Sequence, residues 1–124
     1  MKHIYSFEKL DVWQESRKLV ALIYSLTKKF PEFEKFGLSN QMQRSAVSVP
    51  SNIAEGVSRS YLKEQIRFIE IAYGSLMELY CQLIISLDLG YLKNDELDNV
   101  QAIIFKISNK LNALKNSILS RMKE

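Results

Sequence analysis

Apolar residues recur at three- and four-residue steps in four long stretches of this 124-residue chain. That spacing places them on one face of an α-helix. We expect helices over residues 8–30, 39–57 and 61–89, and a fourth that begins near Asn94. Only four Gly and two Pro punctuate the chain, so the connections should be short, and long helices with short connections pack as antiparallel neighbours. The pattern therefore predicts an all-α, up-down-up-down four-helix bundle, formed by one domain over residues 1–124.

The ends of the first two helices carry recognisable signals. Pro31 should stop the first helix, because proline disfavours the α region for the residue before it. Ser39 is a plausible N-cap of the second helix. Pro50 lies inside the second stretch, where it removes one backbone hydrogen bond and should kink the helix. Two shorter helices that meet at Val49 are the alternative.

The third stretch is apolar around more than half of its circumference, which is typical of a helix buried on several sides. Cys81, the only cysteine, lies within it and is expected to be a buried core thiol. Gly90 should end this helix as a left-handed cap. Phe33 and Phe36, in the loop after the first helix, should fold back over the end of the bundle.

The bulk composition narrows the class of protein. Apolar residues make up 47% and charged residues 25% of the chain, as in folded globular proteins. No segment reaches the roughly 20 apolar residues of a membrane span, and the N-terminus lacks a signal peptide, so we expect a cytoplasmic protein without a membrane partner. The first and third helices carry more apolar surface than a monomer can bury, which favours self-association.

Catalysis is the least favoured function. His3 is the only histidine, and its position near the N-terminus leaves no well-held base for a Ser–His or Cys–His nucleophile. The Glu-x-x-His motifs of di-iron bundles and a Gly-rich phosphate loop are both absent from the sequence. We expect neither an enzyme nor a cofactor or metal site.

A set of polar residues in the middle of the chain should be partly buried: Arg44, Asn52, Glu55 and Glu78. We interpret them as a structural network, since buried charges need partners. Arg44 would pair with a carboxylate across the second and third helices, and Asn52 would bond to backbone groups freed near Pro50. A ligand or partner site is the alternative.

The predicted topology brings the start of the first helix, the link between the second and third, and the end of the fourth to one end of the bundle. That end collects the candidate nucleic-acid-binding residues Arg59, Lys63, Arg67, Lys115, Arg121 and Lys123. The whole chain carries a net charge of only +3, and acids such as Glu64 dilute the basic end. An ordinary solvated surface is the alternative.

Three motifs carry a resemblance to a known family. They are Phe7-Glu-Lys-Leu-Asp-Val-Trp13, Gln43-Arg-Ser-Ala-Val-Ser-Val-Pro-Ser-Asn-Ile-Ala-Glu-Gly56 and Phe68-Ile-Glu-Ile-Ala-Tyr-Gly-Ser-Leu-Met-Glu78. Over about residues 5–92 the chain resembles the four-helix-bundle proteins encoded in 23S ribosomal RNA intervening sequences, also called the S23 family. The motif positions of that family fall on Arg44, Asn52, Glu55, Gly56, Gly74, Ser75 and Glu78.

The resemblance implies a bundle that assembles as a ring, with a homopentamer as the expected state. The accessory variability proteins of diversity-generating retroelements are similar to this family, and they form pentameric barrels that engage nucleic acid and a reverse transcriptase. The expected function is therefore a non-enzymatic oligomer that binds the RNA or DNA backbone through a basic end of the ring. A protein-interaction scaffold that does not bind nucleic acid is the alternative.

Overall fold

The computed structural model describes residues 2–124, and they form an all-α fold. Its four long helices are α1 (Asp11–Thr27), α2 (Leu38–Val57), α3 (Leu62–Asp88) and α4 (Asn94–Met122). Two short 3₁₀ turns, Ser6–Lys9 and Glu32–Glu34, precede α1 and α2. The residues described contain no β-strand. The predicted fold class, an all-α bundle of four long helices, is confirmed.

Helix α1 is shorter than the sequence pattern indicated. It begins at Asp11 because Leu10 has extended backbone dihedral angles, which separate it from the preceding 3₁₀ turn. It ends at Thr27, where the side-chain Oγ1 turns back and donates to the carbonyl oxygen of Ile23 at 2.9 Å. The three residues before Pro31 therefore belong to the loop.

The capping residues differ from those expected. Ser39 is buried inside the first turn of α2 and does not cap it. Gly37 holds the N-cap position, and a carboxylate oxygen of Glu34 accepts the N–H of Leu38 at 3.2 Å. Helix α4 begins at Asn94 as predicted, with Lys93 in the N-cap position. The predicted left-handed cap at Gly90 is confirmed, with φ of +79°.

The core lies between the inward faces of all four helices. Its largest fully buried side chains are Leu19, Ile23, Met42, Val49, Ile53, Ile69, Leu76, Leu79, Leu83, Ile107, Leu111 and Ile118. Burying a side chain of this size contributes about 1.5–3 kcal/mol relative to leaving it exposed. Packing of these apolar stripes therefore supplies most of the stability of the helices, as is usual for helices in proteins.

Helices α2 and α3 form the most extensive helix pair and run in opposite directions. Their contacts descend along α3 as they ascend along α2, from Met42–Ser86 through Ser45–Glu78 to Ser48–Ser75. Small serine side chains at these positions let the two backbones approach closely. Pro50 lies within the continuous α2, so the alternative of two helices that meet at Val49 is wrong. A bend at Pro50 stays a prediction.

Two expectations about burial are wrong. Phe33 and Phe36 are 78% and 87% exposed instead of covering the bundle end. Cys81 is exposed rather than buried. It lies on the outer face of α3, which we define as Arg67, Ile71, Gly74, Glu78, Cys81, Ile85 and Asp88. Because α3 is apolar almost all round, its pattern did not reveal which side faces the core.

Helix α3 also departs from the expectation about membrane spans. Within residues 2–124 it is the one helix long and apolar enough to cross a bilayer by length and composition. Central core helices of globular proteins pass the same test, and α3 buries Leu76, Leu79 and Leu83 against its neighbours. Its inward apolar residues are thus accounted for by the bundle itself.

Candidate nucleic-acid interface

The candidate interface is built on the turn between α2 and α3, where the end of α2 lies close to the start of α3. Gly56, in the last turn of α2, makes that approach possible. A Cβ atom at this position would lie 2.9 Å from Cβ of Phe68 and 3.3 Å from the backbone oxygen of Gln65. Because position 56 has no side chain, the last turn of α2 can lie against the start of α3, and residues 58–61 form the short turn between them.

Arg59 of this turn and Arg67 of α3 share one aromatic ring. The guanidinium carbon of Arg59 lies 4.7 Å from the ring centroid of Phe68, and that of Arg67 lies 5.6 Å from it. Such cation–π contacts contribute about 0.5–1 kcal/mol at exposed sites. Arg59 also forms an ion pair with Glu55, at 2.8 Å. Phe68 thus holds two cations side by side at the surface.

Gln65 connects this turn to the end of α4. Its side-chain Nε2 donates to the backbone carbonyl of Arg59 at 2.8 Å. Its Oε1 accepts a longer hydrogen bond, at 3.4 Å, from Nη2 of Arg121. Sequence reasoning did not identify Gln65, since a half-buried amide on a helix carries no motif. Its contacts bring Arg59 and Arg121, far apart in sequence, to the same surface.

The remaining candidate cations are less tightly organised. Lys63 and Arg67 are one helical turn apart on α3, and both line a shallow surface groove beside Glu64 and Glu70. Lys115 lies in a separate groove between α3 and α4, where its ammonium group is 3.8 Å from Glu70. Lys123 follows α4 and is exposed.

Four of the six cations have no carboxylate partner in the part of the chain that the structure describes: Lys63, Arg67, Arg121 and Lys123. We call the six residues together the basic end: Arg59, Lys63, Arg67, Lys115, Arg121 and Lys123. Free guanidinium and ammonium groups close together are the groups that contact phosphate oxygens in nucleic-acid complexes.

The polar network expected between α2 and α3 takes a different form. Arg44 is exposed and forms no ion pair with any residue from 2 to 124, which corrects its predicted pairing with a buried carboxylate. Glu55 and Glu78 are exposed as well. Arg44 and Glu78 do line the same polar groove. A long arginine at its edge reaches solvent more easily than the interior, because burying a charge is costly.

Asn52 does bond to the backbone, but to a different group from the one expected. Its Nδ2 donates to the carbonyl oxygen of Ser48 at 2.8 Å and to the Ser48 hydroxyl at 2.9 Å. The carbonyl that Pro50 leaves without its helical donor is that of Ala46, four residues earlier. Asn52 therefore orients Ser48, whose hydroxyl is 2.8 Å from that of Ser75.

The contacts that do cross between the helices come from serines that sequence reasoning passed over. Oγ of Ser45 donates to Glu78 at 3.1 Å, and Gln82 donates to the same oxygen at 3.4 Å. Gln82 is buried, and its Oε1 has no hydrogen-bond partner within residues 2–124. Ser45 and Ser48, three residues apart on one face of α2, were the sequence feature that could have indicated these contacts between α2 and α3.

Charge pairing also links α1 to α4. The pKa of Asp11 is lowered, chiefly by a hydrogen bond from the ammonium group of Lys110. The pKa of Glu96 is lowered by the backbone N–H of Lys93 first and by Lys29 second. Within residues 2–124, no three His, Cys, Asp or Glu side chains come together as a metal site would need. These groups serve as ion pairs between helices.

Comparison with known proteins places this bundle in a family. Among solved structures, it is similar to a protein of unknown function from the S23 ribosomal protein family of Bacteroides thetaiotaomicron VPI-5482. The TM-score is 0.78 at 22% identity, over 84% of this chain and 97% of that one, which is a likeness of fold. No curated protein gives a match. The family model described as "23S rRNA-intervening sequence protein" matches residues 8–113, so this chain belongs to the 23S rRNA-intervening sequence protein family.

Proposed function

We propose that this protein is a non-enzymatic homo-oligomer that binds the phosphate backbone of RNA or DNA through its basic end. The observation that supports it most is the grouping of Arg59, Arg67 and Arg121 around Phe68 and Gln65. Arginine suits this role because its planar guanidinium can donate two parallel hydrogen bonds to one phosphate. The family description, which refers to a ribosomal RNA gene, is consistent with a nucleic-acid partner.

A single copy of the basic end is a weak site, and repetition would strengthen it. One chain carries a net charge of only +3, and two of the six cations are already paired with carboxylates. In a homopentamer the total is five times larger and the basic ends recur around one rim. Once one copy is bound, contacts by the others become intramolecular, so avidity can exceed the affinity of any single copy.

The outer face of α3 supports self-association. Ile71, Gly74, Glu78, Cys81 and Ile85 recur there at alternating steps of three and four residues, and all are exposed. This is the spacing of a helix that packs against another helix. Arg67 at one end and Asp88 at the other give the face opposite charges at its two ends. A second copy of this chain is the occupant that we propose for it.

Binding to nucleic acid can be measured by titration of structured RNA and duplex DNA at two salt concentrations. We expect affinity to fall steeply with salt, since phosphate contacts release counterions. The Arg59/Lys63/Arg67→Glu variant should lose binding. A Lys28/Lys35/Lys93→Glu variant makes the same change in net charge at the other end and should bind nearly as wild type. Equal losses of affinity in the two variants would mean that binding depends on net charge and not on the position of the cations. Wild-type affinity in the Arg59/Lys63/Arg67→Glu variant would contradict binding through the basic end.

Self-association can be tested by light scattering after gel filtration. We expect a mass several times that of the 14.4 kDa chain, with a pentamer as the specific expectation. Ile85→Glu should reduce that mass. Phe105→Glu also places a glutamate at an exposed apolar position, but on α4, and should not reduce it. Cys81 offers a second measure, because its thiol should react more slowly with a thiol reagent when a second copy covers it. A monomer at micromolar concentration would contradict the proposal.

A protein-interaction scaffold that does not bind nucleic acid is the second candidate. Phe33 and Phe36, both more than three quarters exposed, favour it, because exposed aromatic residues are enriched at protein interfaces. A reverse transcriptase is the partner to test first, because it is the protein partner that the sequence resemblance implies. In this case nucleic acid would not bind at any salt concentration tested. Either function suits the cytoplasm, where the lone Cys81 thiol stays reduced.

A further inference from the structure

The basic end contains one aromatic side chain that the bundle does not use. Tyr61 is 74% exposed and lies between Arg59 and Lys63 in the sequence. It holds the N-cap position of α3, but no side-chain hydrogen bond caps this helix. A large aromatic ring at such exposure gains little from burial in the chain itself, and candidate cations stand two residues before and two residues after it.

The backbone beneath this ring is nevertheless held in place. The carbonyl oxygen of Tyr61 accepts the N–H groups of Glu64 and Gln65, both at 3.1 Å. The side chain of Gln65 in turn holds the carbonyl of Arg59. Tyr61 therefore presents an accessible ring from a fixed position, and binding would order only its side-chain torsions. Low ordering cost is what makes tyrosine effective in binding sites.

The other aromatic ring of the basic end has a different environment. Phe68 is half-buried, and the guanidinium groups of Arg59 and Arg67 lie over its ring. Its role is to position cations, and little of its surface is left for a ligand. Of the two rings, that of Tyr61 is thus the one with a face accessible to a planar group.

We infer that the basic end selects unpaired nucleotides, with one nucleobase stacked on the ring of Tyr61 while Arg59 and Lys63 contact the adjacent phosphates. The inference rests on the proposed nucleic-acid binding and adds the kind of nucleic acid. Bases inside a duplex are stacked on each other and have no free face, whereas bases in single strands, loops and bulges do. Stacking on aromatic side chains is tolerant of sequence, because every base has a π face.

The test measures fluorescence anisotropy with a short single-stranded oligouridine and with a duplex of equal length, at one salt concentration. We expect wild type to bind the single strand about tenfold more tightly, in keeping with stacking of one base. Tyr61→Ala should remove most of that preference and leave duplex affinity unchanged. Tyr61→Phe keeps the ring and should bind both as wild type does. Thermal melting of each variant verifies that the fold is retained.

A Phe33→Ala variant is the matched control, because it removes an exposed ring at the other end of the bundle. Wild-type binding of oligouridine by Tyr61→Ala would overturn the inference, and so would an equal loss of single-strand and duplex binding. If wild type binds duplex as tightly as single strand and Arg59/Lys63/Arg67→Glu binds neither, the proposed function stands and the choice of unpaired nucleotides is wrong. If wild type binds no nucleic acid, both fail.

Discussion

Cations lie near aromatic rings at both ends of the bundle, but the two ends differ in how their charges are paired. At the end formed by the α1–α2 and α3–α4 connections, Tyr91 packs on Phe30 with ring centroids 5.2 Å apart and donates to Glu34 at 2.9 Å. Lys29, in the loop after α1, pairs with Glu96 of α4 at 3.0 Å. At the basic end, the aromatic ring of Phe68 supports two arginines instead, and most cations there lack a carboxylate partner.

The two ends differ in whether their cations are paired with carboxylates. Where a cation pairs with a carboxylate of another helix, the pair joins the helices and leaves little field outside the protein. Where a cation lacks a carboxylate partner, as Arg67 does on the ring of Phe68, it is held in place without being neutralised, so its field extends into solvent. The first end thus exposes the rings of Phe33 and Phe36, and the basic end exposes cations that have no carboxylate partner within residues 2–124.

The largest expected effect concerns the glycines next to the two connections. Gly56→Ala places a methyl group against Phe68, and overpacking of this kind costs about 1–3 kcal/mol, partly offset by a gain of about 1 kcal/mol in helix propensity. Gly37→Ala meets a carboxylate oxygen of the Glu34 side chain rather than a packed side chain. Moving that carboxylate weakens its hydrogen bonds from Leu38 and Tyr91, so the change should cost about 0.5–1 kcal/mol. Urea unfolding of both variants provides the measurement. Equal losses would mean that the two connections are packed alike.

Low pH should destabilise the end of the bundle that contains Lys29 and Glu96, because the Glu96 carboxylate becomes protonated. Its pKa is lowered in the folded protein, so its stabilising contribution is complete above the pKa of the unfolded state and is lost as pH falls through the folded value. Glu96→Gln should therefore flatten the dependence of stability on pH below about pH 5. Melting temperatures from pH 7 to pH 3 will reveal this, with Glu32→Gln as control. If the melting temperature of Glu96→Gln depended on pH as steeply as that of wild type, the interactions of the Glu96 carboxylate with Lys29 and Lys93 would not contribute to stability.

A smaller effect would sharpen the proposed role of the basic end. Glu55→Gln frees Arg59 from its exposed ion pair, and such pairs are worth about 0.2–1 kcal/mol. Affinity for oligouridine should therefore rise about 1.4- to fivefold. Glu32→Gln frees Lys35 from the 4.0 Å pair at the other end and should change nothing. Weaker binding by Glu55→Gln would indicate that the Glu55–Arg59 pair positions the arginine for phosphate.

The smallest expected effect is at Arg44. Because this side chain is exposed and without an ion pair in residues 2–124, Arg44→Ala should change the free energy of unfolding by less than about 0.5 kcal/mol. Chemical denaturation at low protein concentration is the appropriate measurement. A loss of several kcal/mol would restore the buried network that the sequence suggested.

Helical periodicity was sufficient to predict the four helices and much of the core, because one repeating pattern encodes both. Gly90 was predictable for a local reason, since a left-handed cap favours glycine. Burial around α3 was not predictable in the same way. When nearly every face is apolar, as around Cys81, the pattern cannot distinguish the side that meets α2 and α4 from the side that remains open.

The candidate site was predictable as a set of cations but not as an arrangement. Periodicity and topology could bring Arg59, Arg67 and Arg121 to one end. The contribution of Phe68 and Gln65 depends on side-chain contacts between residues distant along the chain, for which the sequence has no repeating signal. The pairing of Arg44 failed for the same reason, because a helix position indicates a face and not how far a long side chain reaches.

The short turn between α2 and α3 also has a consequence for the order of folding. Only residues 58–61 separate the two helices, and the entropic cost of closing a loop grows with its length. The α2–α3 hairpin should therefore form early, and contacts between α1 and α4, which close nearly the whole chain, should form late. A destabilising change at Gly56 should then slow folding, whereas one at Lys110, which pairs with Asp11, should mainly speed unfolding.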